Sequence, residues 1–294
     1  MACATAGPAH LDEKTGALML KRLFQRPRTA STNEPLVDGA PPATPRGVRV
    51  YAVGDVHGRL DLLLAMEALI ETDRREHGPR DDVLIVHLGD LVDRGFESRK
   101  VLDHLVVTAE FGPPKALVLG NHDLWLREFV AAERVDPEQT GSWIRFGGDA
   151  TLLSYGIKLD ARRPEDERFE TARLALRERF PVEHAELLDR LDLAFGLGDY
   201  FFCHAGIRPE VPLERQSEAD LLWIREPFLS WEGSHGKIVV HGHTVEDAPI
   251  TRVNRIGIDT GACWTGRLTC LVLAGRERRF LQTGRQLATD PGER

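Results

Sequence analysis

Five short polar motifs in this 294-residue sequence bring together residue types that bind transition metals. In chain order they read GDVHG, GDLVDRG, GNHD, HAG and HGHT, and each lies at the end of an apolar run or just after it. They offer carboxylate, imidazole and amide groups, which suit manganese, iron or zinc. The motifs lack the thiolates of a structural zinc site and the all-oxygen shell typical of calcium. The ligands suffice for two metals if one carboxylate bridges them, an arrangement that catalyses displacement at phosphorus.

The first three motifs each close a strand-like run and are followed by a helix-like one. The runs are VRVYAVGD, DVLIVHLGD and KALVLGNHD, and helical apolar spacing follows each of them. Such repeated strand-to-helix units predict right-handed βαβ crossovers and a mostly parallel sheet. Open α/β sheets place their ligands at the carboxyl ends of the strands, so the site is expected there.

The remainder of the chain predicts a helical segment followed by a second sheet. Residues 136–197 are charged and helix-like, which indicates a helical insertion, and short β-type runs punctuated by Gly and Pro follow it. We therefore predict an α/β fold in which two packed mixed β-sheets are flanked by helices. A disordered N-terminal arm (1–47), one large domain (48–284) and a flexible tail (285–294) complete the expected organisation.

Composition excludes several classes of partner. The formal charge is −8, and no basic stripe suggests nucleic-acid binding. No apolar run approaches the roughly 18 to 20 residues of a membrane span. The four cysteines form no C-x-x-C pair, which favours a reducing, cytoplasmic setting. The sequence leaves the oligomeric state open.

The ordered set of five motifs resembles the calcineurin-like metallophosphoesterase superfamily. GDLVDRG and the phrase DLLW (220–223) resemble its phosphoprotein phosphatase branch in the bacterial form. The resemblance covers about residues 48–273. It implies a metallo-dependent phosphatase fold with α/β/β/α layers and a phosphoesterase that uses two divalent metals, manganese first and iron or zinc as alternatives.

The resemblance also implies a ligand set for the two metals. Asp55, His57 and Asp90 would bind one metal, and the second would be bound by Asp90 as the bridge together with Asn121, His204 and His243. Val245 stands where many superfamily members carry a further histidine. His241 lies one residue deeper in its strand, and a structural role is favoured for it over ligation.

Four further residues receive roles in the reaction that the resemblance implies. A hydroxide bridging the metals would attack phosphorus, and His122 would donate a proton to the leaving oxygen. Asp93 would orient the His122 ring, and Arg94 would hold phosphoryl oxygens through its planar fork of donors. Arg225 is a candidate second phosphate ligand, with a surface ion pair as the alternative.

The residues flanking GNHD bear on the substrate. Eukaryotic-type phosphoprotein phosphatases usually carry Arg before this motif and Glu at its end, whereas this chain has Leu119 and Asp123. That feature resembles symmetrical diadenosine tetraphosphatases, but those relatives tend to lack the aspartate that Asp93 retains. We therefore expect a phosphoprotein phosphatase acting on phosphoserine or phosphothreonine, with phosphotyrosine as a further option.

Two alternatives to the phosphatase are a symmetrical dinucleoside polyphosphate hydrolase and a catalytically idle binding module. An idle module should have lost ligands, and this chain retains every one that can be matched. The nucleotide alternative needs an aromatic shelf for the base, for which Trp125, Trp143 or Tyr155 could serve, and each of them is equally compatible with the core.

Overall fold

The computed structural model of the chain describes residues 41–284. Most of the predicted N-terminal arm (1–40) and the whole predicted tail (285–294) lie outside the described residues. Within 41–284 the strands are β1 (Val48–Val53), β2 (Asp82–His87), β3 (Lys115–Leu117), β4 (Ala194–Leu197), β5 (Tyr200–Cys203), β6 (Ile238–His241), β7 (Ile250–Thr251), β8 (Arg255–Gly257), β9 (Thr269–Ala274) and β10 (Glu277–Gln282).

Helices connect and cover these strands. Over the same residues they are α1 (Leu60–His77), α2 (Ser98–Phe111), α3 (Asn121–Ala131), α4 (Pro137–Trp143), α5 (Asp149–Ser154), α6 (Glu165–Arg179), α7 (Val182–Asp189), α8 (Glu218–Trp223) and α9 (Ala262–Thr265). In this part of the chain no helix combines the length and the apolar character that crossing a membrane requires.

The strands form two five-stranded sheets. The first has the order β10-β9-β1-β2-β3, in which β1, β2 and β3 are parallel and the hairpin of β9 and β10 adds antiparallel strands. The second has the order β4-β5-β6-β8-β7, with β5, β6 and β8 parallel. Both sheets are therefore mixed, as predicted.

An apolar core lies between the two sheets. Val50 and Val86 of the first sheet share one buried cluster with Phe202, Val240 and Ile256 of the second. The other face of the first sheet packs on the helices, where alternate residues such as Tyr51 and Ile85 join a separate cluster. This alternation along each strand is the period-2 pattern of a sheet buried on both faces. The predicted fold class is confirmed.

Residues 136–197, predicted to be helical, hold α4 to α7, which pack against α2 and α3, but the last residues of this range form β4 of the second sheet. The side chain of Asp136 caps α4 by accepting the N–H groups of Glu138 and Gln139, and Pro137 occupies the first turn. A π-type turn at Ile144–Gly148 joins α4 to α5. Treating this segment as an insertion within one domain remains a prediction.

One local expectation was wrong. The run ending in GNHD was predicted to be a strand up to its polar residues, but β3 ends at Leu117 and α3 begins at Asn121. Gly120 has extended backbone angles, and its N–H donates to the carboxylate of Asp123 at 3.0 Å. Asn121 and His122 thus sit in the first turn of a helix, whose regular backbone fixes their relative positions.

Candidate metal centre and active site

Asp55 and His57 follow β1 in a tight turn. His57 has a left-handed backbone with φ of +46°, and its N–H donates to the carbonyl of Asp90 at 2.8 Å. Both side chains are buried. The carboxylate of Asp55 accepts the N–H of His243 at 3.1 Å. The first of the five motifs therefore meets the last, which comes from the other sheet.

Asp90, just beyond β2, occupies the centre of the site. Its Oδ2 lies 3.5 Å from Nε2 of His57, and its Oδ1 lies 3.5 Å from Nε2 of His204. Oδ1 also accepts the N–H of His122 at 3.0 Å. Asp90 has a left-handed backbone, with φ of +49°. A carboxylate that faces histidines from both sheets is suitably placed to bridge two metals.

Potential ligand atoms collect in two groups, each with all its atoms within 4.8 Å of one another. The groups are His57, Asp90 and His122, and Asp90, His204 and His243. Asp90 is common to both. Neither group contains Asp55, which was predicted as a ligand and lies against the backbone of His243. The first group instead includes His122, which was predicted as the proton donor.

The second group has protonation states that favour a cation. Nδ1 of His204 donates to the carbonyl of Leu88 at 2.8 Å. In the neutral ring, Nε2 therefore carries a lone pair and can only accept. That lone pair faces Oδ1 of Asn121 at 2.9 Å, and two acceptors repel each other unless a cation lies between them. Burial lowers the pKa of His204, and it lowers the pKa of His243 to about 2. Both rings are therefore neutral near pH 7 and fit a divalent metal.

The protonation states of the first group also favour a bound cation. Nδ1 of His57 contacts the carbonyl of Val92 at 2.9 Å, and burial lowers the pKa of His57 to about 3. Burial, followed by the charges of Asp259 and Asp90, raises the pKa of Asp55 well above its usual range. Such a concentration of buried carboxyl groups is costly unless a cation offsets it. The residues here also fit a metal with nitrogen and oxygen ligands.

His122 and Asp93 form a buried pair beside the first group. Nδ1 of His122 lies 2.7 Å from Oδ2 of Asp93. Burial alone would lower the pKa of His122, but Asp90 and the hydrogen-bonded Asp93 outweigh it, so the pKa is raised. A raised pKa favours the imidazolium form, which is the form that can donate a proton. The contact between His122 and Asp93 thus suits the predicted acid.

Asp93 is held by side chains from the helical segment. Nε1 of Trp143 donates to its Oδ2 at 2.7 Å, and the hydroxyl of Thr151 donates to its Oδ1 at 2.6 Å. The N–H of Asp93 donates to Thr151 at 2.9 Å and to Ser98 at 3.0 Å. Neither Thr151 nor Ser98 was singled out from the sequence, because neither lies in a motif.

Arg94 points into the same centre. Its two terminal nitrogens lie 2.6 Å from Nε2 of His57 and 3.0 Å from Nε2 of His122. The guanidinium stacks on the ring of Trp264, 4.7 Å from its centroid. Since Trp264 itself is 63% exposed, Arg94 lies at the boundary between the buried candidate ligands and solvent.

The two remaining candidates from the sequence, Arg225 and His241, lie outside both groups of potential ligand atoms. Arg225 is exposed just after α8, and its charge, after burial and His204, contributes to the lowered pKa of His243. His241 belongs to neither ligand group; its ring contacts the Gly242 carbonyl at 3.0 Å and lies 3.3 Å from Arg255.

Aromatic rings form a wall beside His122. The ring of Trp125 lies 5.2 Å from that of His122, 4.9 Å from that of Trp223 and 5.9 Å from that of Phe146, on which it stacks. Phe146 is 55% exposed and Trp223 is 38% exposed. We call Trp125, Phe146 and Trp223 the aromatic wall.

Only one of the three shelf residues proposed from the sequence belongs to this wall. Trp143 and Tyr155 are buried and pack in the core. Phe146 was missed because it lies in the run WIRFGG, where no spacing distinguishes it from the neighbouring core aromatic Trp143. Trp223 lies in the phrase DLLW, which was noted only because it resembles the family. This phrase could have identified Trp223 as a residue near the site.

A family model described as calcineurin-like phosphoesterase matches residues 48–265. The symmetrical bis(5'-nucleosyl)-tetraphosphatase of Klebsiella pneumoniae is 27% identical over 287 residues, which cover 83% of this chain and 98% of the relative. The protein of the same description from Yersinia enterocolitica is 47% identical over 76 residues, 26% of this chain and 23% of the relative.

A solved structure described provisionally as a diadenosine tetraphosphatase has the same fold. It aligns with a TM-score of 0.55 at 21% identity and covers 82% of this chain and 98% of its own. At that identity the likeness concerns the fold alone. The fold and the five motifs thus point to one family.

Proposed function

Because this chain belongs to the calcineurin-like phosphoesterase family and is therefore a metal-dependent hydrolase, we propose that it hydrolyses dinucleoside tetraphosphates symmetrically. Water would attack the second or third phosphorus atom and break its P–O bond to the oxygen that bridges the two, and this oxygen would leave with the other half, so that diadenosine tetraphosphate gives two molecules of ADP. This is the alternative from the sequence analysis, and the full-length tetraphosphatase relative supports it better than the phosphoprotein phosphatase reading.

The observation that carries the proposal is the aromatic wall next to His122. A dinucleotide offers a planar base at each end, and stacking of a base on an aromatic ring contributes about 1–3 kcal/mol. Trp125 and Phe146 stack with an interplanar angle of 19°, and Phe146 and Trp223 keep exposed surface. A phosphomonoester on a serine side chain has no group that would use such a surface.

We assign the ligands as the resemblance implies. Asp55, His57 and Asp90 would hold one divalent metal, and Asp90, Asn121, His204 and His243 the other. When bound, such metals neutralise phosphate charge and lower the pKa of a coordinated water. Manganese is the first candidate, with iron and zinc as alternatives.

The chain's own residues then handle the leaving group. Nε2 of His122 would donate its proton to the oxygen that leaves with ADP, and Asp93 would stabilise the imidazolium beforehand. Arg94 would bind phosphoryl oxygens, since its terminal nitrogens reach the edge of the ligand groups. The exposed Arg225 would meet the more distal phosphates of a four-phosphate chain.

The test is a substrate comparison with the full chain and added Mn²⁺. Diadenosine tetraphosphate would be assayed beside phosphoserine, phosphothreonine and phosphotyrosine peptides, with products separated by anion-exchange chromatography. We expect ADP as the only nucleotide product. Formation of ATP and AMP would contradict symmetrical cleavage, and hydrolysis of peptides without hydrolysis of the dinucleotide would overturn the proposal.

Phosphoprotein phosphatase activity stays the second candidate because of one specific contact. Asp93 is retained and lies 2.7 Å from His122, the pairing that the sequence analysis associates with phosphomonoester hydrolysis. The same substrate comparison separates the two candidates. Turnover of the peptides at a higher kcat/KM than the dinucleotide would favour this second function.

A further inference from the structure

Two residues outside every sequence motif, Trp143 and Thr151, end on the carboxylate of Asp93. We propose that they are positioning residues, which hold Asp93 so that the ring of His122 faces the leaving oxygen. This inference rests on the proposed role of His122 as the proton donor. It assigns to the helical segment 136–197 a part in the chemistry, in addition to its packing.

The hydrogen bonds leave the carboxylate little freedom. Oδ2 of Asp93 lies 2.7 Å from both Nε1 of Trp143 and Nδ1 of His122, and Oδ1 lies 2.6 Å from the Thr151 hydroxyl. Both oxygens are therefore engaged, on two sides, by groups from different elements. Rotation of the carboxylate would break at least two of these bonds at once.

The backbone of Asp93 needs that support. It has a left-handed φ of +72°, which is uncommon for a residue with a side chain. Its N–H is fixed by the hydroxyls of Thr151 and Ser98. Asp93, Thr151 and Ser98 are fully buried, and Trp143 is 1% exposed. Because water does not reach these groups, a lost donor would leave a buried acceptor unsatisfied.

The same segment also contacts the neighbouring Arg94. The N–H of Arg94, whose φ is +66°, donates to the carbonyl of Gly147 at 3.0 Å. A Cβ at Gly147 would lie 2.7 Å from that nitrogen, so only glycine fits this contact. The two helices α4 and α5 thus contact the proposed acid pair through Trp143 and Thr151, and the turn between them contacts the proposed phosphate ligand.

The experiment removes the two donors: Thr151→Val keeps the shape of the side chain, and Trp143→Phe keeps an aromatic ring at its position. Trp143→Phe and Thr151→Val would be compared with Tyr155→Phe, a control that deletes a buried hydroxyl from the same segment. The hydroxyl of Tyr155 bonds His184 at 2.8 Å and not Asp93. Each protein would be assayed on diadenosine tetraphosphate, phenyl phosphate and 4-nitrophenyl phosphate with Mn²⁺.

We expect kcat on phenyl phosphate to fall about 10-fold to 100-fold in the two test variants, the usual cost of losing an orienting partner. KM should stay unchanged. The loss should be smaller on 4-nitrophenyl phosphate and on the dinucleotide, because their leaving oxygens are less basic than phenolate and depend less on a proton from His122. Equal losses on both aryl phosphates, or the same losses in Tyr155→Phe, would overturn the inference.

A double variant tests whether the effect passes through His122. In a His122→Asn background, Trp143→Phe should cause no further loss of kcat, since residues that act as a unit are not additive. A full additional loss would contradict the inference. If the dinucleotide is not hydrolysed but the aryl phosphates are, the proposed function fails and these comparisons still decide the positioning role.

An observation independent of activity completes the test. In ¹H–¹⁵N spectra the indole N–H resonance of Trp143 should move in Asp93→Asn and stay in place in Tyr155→Phe. An indole resonance that does not respond to Asp93→Asn would mean that the hydrogen bond is absent and would overturn the inference, even if no phosphoester were turned over.

Discussion

The candidate metal ligands and the proposed acid pair lie side by side but are held in different ways. The candidate ligands His57 and His204 are oriented by backbone carbonyls of one loop, the loop that follows β2 in the first sheet. The acid pair of His122 and Asp93 is oriented by side chains of Trp143 and Thr151, about 50 residues further along the chain. Ligand geometry therefore follows from the sheets, whereas acid geometry depends on the helical segment.

This difference predicts that the two regions fail in different ways when they are changed. Loss of a ligand should remove both metal and activity. Loss of the acid or of its support should leave the metal bound and slow only the steps that need a proton.

The largest effect is expected for Asp90→Asn, because Asp90 faces both ligand groups. Metal ions supply several kcal/mol of charge stabilisation to such reactions, so kcat/KM should fall at least about 10³-fold at 1.36 kcal/mol per tenfold. Metal content, measured by mass spectrometry of the purified protein, should fall with it. The exposed Asp189→Asn is the control and should retain both.

His122→Asn should separate the two regions. We expect kcat to fall about 10²-fold to 10⁴-fold, the usual contribution of a positioned acid, with metal content retained. Loss of metal in this variant would instead assign His122 to the ligand group that it shares with His57 and Asp90. Unchanged turnover would remove it from the mechanism.

His87 is a buried histidine outside both candidate ligand groups, and its lowered pKa should make the stability of the protein depend on pH. Neither of its ring nitrogens has a hydrogen-bond partner among the described residues, and burial lowers its pKa from 6.5 to about 3. The folded protein therefore stays unprotonated there as the pH falls below 6.5, while the unfolded chain binds a proton. Stability is present above pH 6.5 and is lost towards acid.

The expected loss for His87 is about 2 kcal/mol between pH 7 and pH 5. His87→Leu should lack this loss, so urea unfolding at the two pH values should show a flatter dependence for the variant. Parallel pH dependences for the two proteins would contradict the pKa assigned to His87.

The smallest effect is expected at the aromatic wall. Phe146→Ala should raise KM for diadenosine tetraphosphate about tenfold, the lower end of stacking energies, because the ring is partly exposed. KM for 4-nitrophenyl phosphate should not change. Phe111→Ala, which removes an exposed phenyl ring at the end of α2, is the matched control. Equal KM values for all three proteins would remove the wall from substrate binding.

The sequence allowed the fold class to be predicted because each motif ends a strand-like run. The apolar runs of β1 and β2, and the order of the βα units, were enough to predict that Asp55, Asp90 and Asn121 lie at one edge of a sheet. The start of α3 was misjudged, since an apolar run before GNHD reads equally well as strand or loop. Here hydrogen bonds of Gly120 and Asp123, and not periodicity, set the boundary.

The supports of the acid pair could not be predicted for a different reason. Trp143 and Thr151 contact Asp93 only after α4 and α5 have packed on α2 and α3. A lone tryptophan and a lone threonine in a helical stretch carry no spacing that points to a partner. Long-range side-chain contacts of this kind follow from packing, which a single sequence does not specify.

The position of β1 in its sheet has a consequence for synthesis of the chain. β1 lies between β2 and β9, and β9 begins at Thr269, more than 200 residues later. At about 5–20 residues per second, β1 leaves the ribosome roughly ten to forty seconds before that neighbour does. During that interval one side of the strand that carries Asp55 has no partner, and an open strand edge can pair with another chain. The nascent protein is therefore most exposed to aggregation before its last hairpin emerges.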